Sequence, residues 1–308
     1  MSPIDSVLLV AFGGPERPED IRPFLQNVAA GRPIPAARLE EVAHHYEVIG
    51  GRSPLNALTR RQADGLRAAL AARGGALPVW VGMRNWQPYL HETLALMKDH
   101  GRRRALGLIL SSLQTEASWA RYVEDVAAAR DKVGPDAPEV VFASPWSDHP
   151  RFLDAMAACA RVALDAVDPA RRAAARLVFT AHSVPVSMAA GSPYTAQFEA
   201  AARAIAARLG RAEWTLAYQS RSGAPRDPWL EPDVTEVIRG LAHEGARDVV
   251  VVPVGFVCDH VEVLYDLDVE ARGVAEAAGV GFHRAAAPND HPDFIAMLAD
   301  LVGRAAGR

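Results

Sequence analysis

Cysteine is scarce in this sequence, which holds only Cys159 and Cys258, far apart and in no CxxC pattern. Disulfide frameworks, structural zinc sites and four-thiolate iron–sulfur clusters need more thiolates at closer spacing. None of these three kinds of site is therefore supported, and we expect no iron–sulfur cluster. The same scarcity indicates a reducing compartment.

An excess of charge of one sign is also missing. The 308 residues include 33 Lys and Arg against 37 Asp and Glu, and the formal net charge is −4. This balance gives no reason to expect binding to nucleic acid or to an acidic membrane surface, so specificity has to come from a local site. No apolar run approaches the roughly 20 residues that span a bilayer. We therefore expect a cytoplasmic protein without a transmembrane segment.

Three loops that mark common α/β enzymes are absent as well. The chain has no GxGxxG after its first strand, no GxxxxGK[ST] and no GxSxG. Dinucleotide binding, P-loop nucleotide binding and serine hydrolysis therefore lack the loops that their chemistry needs.

Short apolar runs alternate with helical segments along the whole chain. The apolar runs predict strands at 7–10, 78–83, 105–110, 140–143, 176–180, 214–218, 247–254 and 280–283. Such alternation is typical of parallel sheets with helical crossovers. The segments 97–104 and 241–248 also resemble each other, since each carries a glycine shortly before an apolar strand. This similarity favours two related lobes.

We therefore predict an α/β fold of two lobes, 1–148 and 149–308, each a parallel sheet flanked by helices. The last helix is expected to pack back on the first lobe. In open α/β sheets ligands bind at the carboxyl ends of the strands. The cleft between the lobes is accordingly the expected place of the active site.

The stretch 249–270 joins the strongest strand signal to a group of acids. Four valines lead within a few residues into a segment in which Glu262, Asp266 and Glu270 are spaced by four. At about 100° per residue this spacing forms one ridge on a helix, and a wider π-type turn would align the acids better still. The ridge is either a solvated face or a path for a cation. No Lys or Arg lies within the stretch, which favours the path.

His182 follows a second apolar strand, and Pro185 stops a local helix after it. A histidine in this position either is a hydrogen-bonded core residue or points to the ligand site. In the second case, imidazole and carboxylates would suit a divalent cation of intermediate hardness such as ferrous iron. They would equally suit proton removal, because both groups can act as bases near pH 7.

Seven short motifs follow one another along nearly the whole chain. They are LVAFGGP at 9–15, GGRSPL at 50–55, AHS at 181–183, GSPY at 191–194, YQS at 218–220, DPWL at 227–230 and DHVEVLY at 259–265. In this order they resemble the ferrochelatase family, whose members insert ferrous iron into a porphyrin during haem synthesis.

The resemblance implies two Rossmann-like lobes with the porphyrin in the cleft between them. It places the family's catalytic histidine at His182 and its metal-side glutamate at Glu262, which would bind the incoming iron and accept pyrrole protons. Asp266 and Glu270 match an acidic ridge behind Glu262, as an iron path or a proton exit. Iron and porphyrin are then substrates, no cofactor is bound permanently, and other haem-pathway enzymes are candidate partners.

The short linker at 31–35 and the lack of a carboxyl-terminal extension resemble family members that metallate coproporphyrin III. Phe12 stands where those enzymes have a tyrosine, and Ala29 and His45 stand where they have arginines. Phenylalanine cannot coordinate iron, and the loss of two guanidinium groups weakens carboxylate binding. Protoporphyrin IX, with two propionates instead of four, therefore stays an alternative substrate. With Trp229 as a further apolar wall, the expected porphyrin-binding residues are Phe12, His45, Tyr46, Ser53, Tyr122 and Trp229.

Two other functions fit the same residues. A porphyrin- or haem-binding protein would keep the fold without the chemistry, which the departures at Phe12, Ala29 and His45 favour. A chelatase for another metal, such as cobalt or nickel, or for another tetrapyrrole would use the same base and carboxylates.

Overall fold

The chain divides into two α/β units. The computed structural model describes residues 3–31, 34–75, 77–222 and 227–307, so Arg32 and Pro33 of the predicted linker lie outside the described residues. The first unit consists of Met1–Ser111, Glu116–Pro145 and Asp290–Arg308, and the second consists of Ser112–Thr115 and Trp146–Asn289.

The α-helices of the described residues alternate with the strands as predicted. In chain order they are α1 Ile21–Ala29, α2 Ala36–Val48, α3 Leu55–Ala72, α4 Leu90–Asp99, α5 Arg121–Val133, α6 Pro150–Asp165, α7 Val186–Ala190, α8 Tyr194–Arg208, α9 Val234–His243, α10 Val261–Leu264, α11 Arg272–Ala277 and α12 Pro292–Ala305. Glu116–Ala120 and Asp266–Ala271 are π-helical, and Pro18–Asp20 and Arg172–Ala174 are 3₁₀ turns.

The first unit contains a four-stranded parallel sheet. Its strands are β1 Ser6–Ala11, β2 Val79–Met83, β3 Arg104–Ile109 and β4 Glu139–Phe142, in the order β2-β1-β3-β4. Every residue of β1 is buried, because helices cover both faces of the sheet. Leu8 and Val10 share a core with Leu94 and Met97 of α4 and with Val126 of α5. Helices α3 and α12 pack against each other and against β2 and β3.

The second unit repeats this sheet. Its strands are β5 Arg176–His182, β6 Thr215–Gln219, β7 Asp248–Val252 and β8 Gly281–Arg284, all parallel and in the order β6-β5-β7-β8. The order of the first sheet therefore recurs with every strand number raised by four, as expected if the two lobes are related.

Strand β7 is buried throughout, which explains its valine run. Val249 and Val251 pack in one core with Ile238 of α9 and with Leu267. The alternate valines point to the other face, where α6 packs against β7. Complete burial of each valine contributes about 1.5–3 kcal/mol, so this strand firmly anchors the acidic segment that follows it.

The predicted α/β class, with parallel sheets flanked by helices, is confirmed. The strand expected at 247–254 ends at Val252, because Pro253 has no N–H to continue the ladder. Among the residues that the structure describes, no helix is long and apolar enough to cross a membrane. The cleft expected between the lobes stays a prediction.

Candidate active site

His182 is the last residue of β5, at the edge of the sheet where ligands bind in folds of this kind. It pairs in register with Gln219 of β6, and the buried Tyr194 donates a hydrogen bond from its hydroxyl to the His182 carbonyl at 2.7 Å. The following N–H, of Ser183, donates to the Gln219 carbonyl at 2.7 Å. The backbone is thus fixed, while the His182 side chain keeps 28 % of its surface exposed. It is therefore not a core histidine.

Glu262 comes close to His182 because the chain after β7 crosses the end of β5. At the crossing, a Cβ on Gly255 would lie 2.8 Å from the Cα of Ala181, so only glycine allows the two backbones this approach. The crossing leads to α10, in which Glu262 is the second residue. The Gln219 side-chain amide donates to the Glu262 carbonyl and ties this helix to the end of β6.

The imidazole of His182 and the carboxylate of Glu262 face each other, with 3.5 Å between Nε2 and Oε1. His182 Nδ1 donates to the Ser183 carbonyl, so Nε2 is the nitrogen that can take a further proton. Burial alone lowers the pKa of His182, but the charge and hydrogen bond of Glu262 raise it, and the net pKa lies above the ordinary value. A proton accepted at Nε2 is therefore stabilised by the adjacent carboxylate.

A second imidazole, that of His260, lies 3.8 Å from the other carboxylate oxygen of Glu262. Its Nδ1 accepts the Glu262 N–H at 3.2 Å and caps α10, so in the neutral ring Nε2 carries the proton. Burial lowers the pKa of His260 by more than Glu262 and Asp259 raise it, which keeps the ring neutral at pH 7. Within the described part of the chain, no three His, Cys, Asp or Glu side chains have the geometry of a metal site.

Asp266 begins the π-helical segment one turn beyond Glu262 and is buried. Ser220 donates its hydroxyl to Asp266 from a left-handed backbone conformation, φ 63°, which strains a non-glycine residue by about 1–3 kcal/mol. Burial raises the pKa of Asp266 to about 7, the Ser220 hydrogen bond opposes this, and the charges of Glu262 and Glu270 raise it further. Asp266 therefore exchanges a proton near neutral pH.

Glu270 lies on the same π-helical segment and is exposed. Its N–H donates to the carbonyl of Tyr265 at 3.0 Å, a bond that reaches back five residues as π-helices do. Because its charge acts on Asp266, the three acids form a row of interacting groups with its outer end at an exposed residue.

Two other acids of the stretch 249–270 are neutralised from outside it. Arg284 of β8 holds Asp268 with Nε and Nη2, both at 2.8 Å, and Asp259 with Nη1 at 2.9 Å. Asp259 also accepts a hydrogen bond from Asn289 at 2.9 Å. The stretch itself contains no Lys or Arg, but Asp259 and Asp268 are paired with an arginine from β8. Asp259 and Asp268 hold the segment in place, and Glu262 and Asp266 face histidines and a serine.

Aromatic rings meet at the carboxyl end of β1 in the first unit. Phe12 follows this strand, and its ring lies 6.3 Å from the ring of the buried Phe24. Tyr46 and Trp86 also contact Phe24 edge-on, at 6.0 and 6.2 Å. Tyr46 is buried, whereas Phe12 is 38 % exposed. Phe12 therefore offers an apolar surface supported by the rings behind it.

Arg84 is a cation of this aromatic group that the sequence analysis did not single out. Its guanidinium lies 4.4 Å from the ring centre of Tyr122 and 5.7 Å from that of Phe12, and it pairs with Asp125 of α5. Arg84 follows β2 directly, so its place at a strand end was the available signal. The pairing with Asp125 and the stacking on Tyr122 hold it in place.

The remaining predicted porphyrin-binding residues lie in both units. Ser53 is buried, and its N–H donates to the Pro15 carbonyl at 2.7 Å. His45 is half-buried on α2, where burial lowers its pKa. Trp229 is half-buried in the second unit and forms an isolated bridge with Pro185. The first unit thus contains Phe12, His45, Tyr46, Ser53 and Tyr122, whereas Trp229 belongs to the unit of His182, Glu262, Asp266 and Glu270.

Comparison with known proteins identifies relatives along the whole chain. A family model described as Ferrochelatase matches residues 5–306. The chain is 48 % identical over 301 residues to the coproporphyrin III ferrochelatase of Mycobacterium avium, covering 97 % of this chain and 87 % of that relative. Proteins of the same name from Mycolicibacterium smegmatis and Mycobacterium tuberculosis are each 46 % identical over 97 % of this chain, and 88 % and 85 % of their own lengths are covered.

Two solved structures are similar in fold. SirB from Bacillus subtilis with Fe3+ has a TM-score of 0.60 at 11 % identity, covering 98 % of this chain and 96 % of that chain. The sirohydrochlorin chelatase SirB in complex with cobalt has a TM-score of 0.57 at 10 % identity, covering 99 % and 96 %. At such identities the likeness concerns the fold alone. The family model and the relatives at 46 and 48 % identity show that this chain belongs to the ferrochelatase family.

Proposed function

We propose that this chain is a ferrochelatase of haem biosynthesis that inserts Fe2+ into coproporphyrin III with release of two protons. The proposal rests on the pair of His182 and Glu262, with 3.5 Å between Nε2 and Oε1. It is supported by relatives at 46 and 48 % identity that are named coproporphyrin III ferrochelatases. Iron and porphyrin are both substrates of this reaction.

His182 is the proposed base. Both pyrrole N–H protons have to leave as the metal enters, and Nε2 can take one because Nδ1 is held by the Ser183 carbonyl. Glu262 stabilises the imidazolium that forms. The charge of an approaching Fe2+ disfavours this imidazolium, so the proton has to move on before the next one is taken.

Asp266 and Glu270 are the proposed route by which protons leave. Asp266 suits a relay because its pKa of about 7 lets it both take and release a proton near neutral pH. Glu270 is exposed and interacts with Asp266, so it connects the relay to solvent.

Glu262 is the proposed iron ligand in the second unit, and His182 can join it only while Nε2 carries no proton, because Nδ1 is held by the Ser183 carbonyl. A carboxylate and an imidazole suit ferrous iron in hardness, and a pair of side chains can release the ion again to the porphyrin. His260 next to the carboxylate and Gln219 on the Glu262 carbonyl hold the ligand in place before iron arrives.

Phe12 is the proposed contact of the first unit with the macrocycle. Its ring is exposed, whereas Tyr46, Ser53 and Tyr122 are buried and would act mainly by supporting it. Because Phe12 cannot coordinate iron, the metal chemistry falls to the second unit. An apolar wall at this position would press on the porphyrin face and favour the bent macrocycle that exposes a nitrogen lone pair.

The proposal is tested by anaerobic assay of Fe2+ insertion into coproporphyrin III and protoporphyrin IX, with porphyrin binding measured separately. We expect insertion into coproporphyrin III with a kcat/KM at least about tenfold above that for protoporphyrin IX. His182→Ala should still bind porphyrin but lose turnover. Folded protein that binds porphyrin and inserts no iron into either substrate would instead be the binding protein that Phe12, Ala29 and His45 favour. Competition with cobalt and nickel at a fixed porphyrin concentration distinguishes a ferrochelatase from a chelatase for another metal.

A further inference from the structure

A groove rich in arginine lies at the opposite edge of the second sheet from His182. It is a solvent-open cavity of about 620 Å³ at the amino ends of β5 and β6, and its lining includes Arg176, Arg203, Arg211 and Trp214. The six residue steps from Arg176 to His182 along β5 span about 20 Å. The groove is therefore too far from the reaction pair to belong to the same site.

Arg211 provides a fixed positive charge in this groove. Its Nη1 donates to the Ala173 carbonyl at 2.6 Å, and its Nη2 donates to the Arg172 carbonyl. Both acceptors are neutral, so these bonds orient the guanidinium without cancelling its charge. A guanidinium has more N–H donors than these two bonds use, and the others are available to an anion.

Arg203 and Arg176 are paired, but only weakly. Arg203 pairs with Glu199 one helical turn away at 2.5 Å, and Arg176 pairs with Glu244 at 3.2 Å. Each of these carboxylates keeps more than half of its side-chain surface exposed. Exposed pairs contribute about 0–1 kcal/mol, so a ligand with several negative charges can replace them.

Trp214, Ala212 and Glu213 are also part of the wall of the groove. Trp214 is fixed by an edge contact with Phe179 of β5, at 5.9 Å between ring centres. Glu213 contributes a carboxylate to the lining. Because Glu199 and Glu244 pair with two of the three guanidinium groups, the positive charge of the groove is centred on Arg211, which is hydrogen-bonded to neutral carbonyls.

We propose that this groove binds a small polyvalent oxyanion, one that carries two or more phosphate or carboxylate groups. Planar guanidinium groups suit both kinds of group, because each can be held by two parallel N–H···O bonds. The site is distinct from the proposed ferrochelatase centre, and its ligand is not a substrate of metal insertion.

Ala212 permits a test that removes no existing contact. Inorganic pyrophosphate and citrate are titrated separately into the whole protein by calorimetry at low ionic strength. We expect saturable binding of at least one of them with a dissociation constant below about 1 mM. Ala212→Glu, which adds a negative charge to the lining, should weaken it at least about tenfold, whereas Ala212→Gln, of similar size, should change it less than about threefold.

A second pair of variants tests the arginines. Arg203→Gln should weaken binding about fivefold, while Arg239→Gln, an exposed residue of α9 with the same change in net charge, should leave it within about twofold. Binding of pyrophosphate alone identifies a phosphate ligand, and binding of citrate alone identifies a polycarboxylate. The proposal is overturned if neither anion binds, if both Ala212 variants weaken binding equally, or if Arg239→Gln has the effect of Arg203→Gln.

Discussion

The two sheets share a strand order, yet their equivalent strands β1 and β5 lead to different chemistry. After β1 comes Phe12, backed by aromatic rings and an arginine. At the end of β5 stands His182, which faces a carboxylate, and an acid with a pKa of about 7 lies behind that carboxylate. One unit thus offers an apolar surface, and the other offers an imidazole and carboxylates, the kinds of group that can bind a cation and exchange protons.

The shared framework extends to the segment after the third strand of each sheet. A π-helical segment follows β3 at Glu116–Ala120 and follows β7 at Asp266–Ala271. In the first unit it leads into the helix that carries Tyr122, and in the second it carries the acids. The two units thus share positions that the fold sets, and they differ in the side chains that stand there.

The largest expected effect is that of His182→Ala. Removal of a general base lowers rates by about 10²–10⁴-fold, so we expect kcat for iron insertion to fall by about 10³ while porphyrin affinity changes less than threefold. Stopped-flow insertion kinetics and fluorescence titration of porphyrin measure the two quantities. An equal loss of affinity would mean that His182 holds the porphyrin as Phe12 is expected to do.

Gly255→Ala tests how the second unit brings its acids to β5. The added Cβ would lie 2.8 Å from the Ala181 Cα, so we expect a loss of about 2–3 kcal/mol in the free energy of unfolding and lower activity. Gly240→Ala on α9 is the matched control, because its Cβ would contact nothing within 4 Å and alanine favours a helix by about 1 kcal/mol. Urea unfolding measures both. A neutral Gly255→Ala would show that the crossing tolerates a side chain.

Asp266→Asn should lower kcat for iron insertion but raise the free energy of unfolding. Burial raises the folded-state pKa of Asp266 from 3.8 to about 7, so the unfolded chain loses this proton first and stability falls as pH rises from about 4 to about 7. Asparagine removes that loss and can still accept the Ser220 hydrogen bond. We expect a gain on the order of 2 kcal/mol at pH 8 and none near pH 3, measured by urea unfolding. Lower stability of the variant at pH 8 would contradict the raised pKa.

Phe12→Ala should have the smallest of these effects. Unlike His182→Ala, it should change the affinity for porphyrin rather than the turnover. Loss of an aromatic contact is worth about 1–1.5 kcal/mol, so we expect the Kd for porphyrin to rise about tenfold with kcat nearly unchanged. Leu96→Ala, which removes another exposed apolar side chain of the same unit, serves as the control. A large fall in kcat for Phe12→Ala would contradict the expectation that the first unit contacts the porphyrin while the second unit carries the chemistry.

The sequence predicts the eight strands well, because buried parallel strands read as apolar runs. The sequence also indicates His182 and Glu262 as candidate site residues, since both follow shortly after such runs. What it does not reveal depends on contacts across the chain. Asp259 and Asp268 look like Glu262 and Asp266 in the sequence, and only the fold shows that Arg284 from β8 neutralises the first two.

The residues that hold the site residues in place cannot be recognised from the sequence, for a related reason. The motifs YQS, GSPY and DHVEVLY contain Ser220, Tyr194 and His260, but spacing does not tell which side chain a residue touches. The left-handed backbone of Ser220 and the capping role of His260 arise from the loops that place them. Arg84 was missed because an arginine after a strand usually faces solvent, and its stacking on Tyr122 needs α5 beside it.

The most direct test of the division between the units is the kcat of three acid variants: Glu262→Gln, Asp266→Asn and Glu270→Gln. Because Glu262 touches His182 and the other two act behind it, we expect a graded loss in kcat at unchanged porphyrin affinity. The loss should be about 10³-fold for Glu262→Gln, about tenfold for Asp266→Asn and about threefold for Glu270→Gln. Equal effects of all three variants would contradict a reaction centred on Glu262 and would make the row of acids an ordinary solvated face.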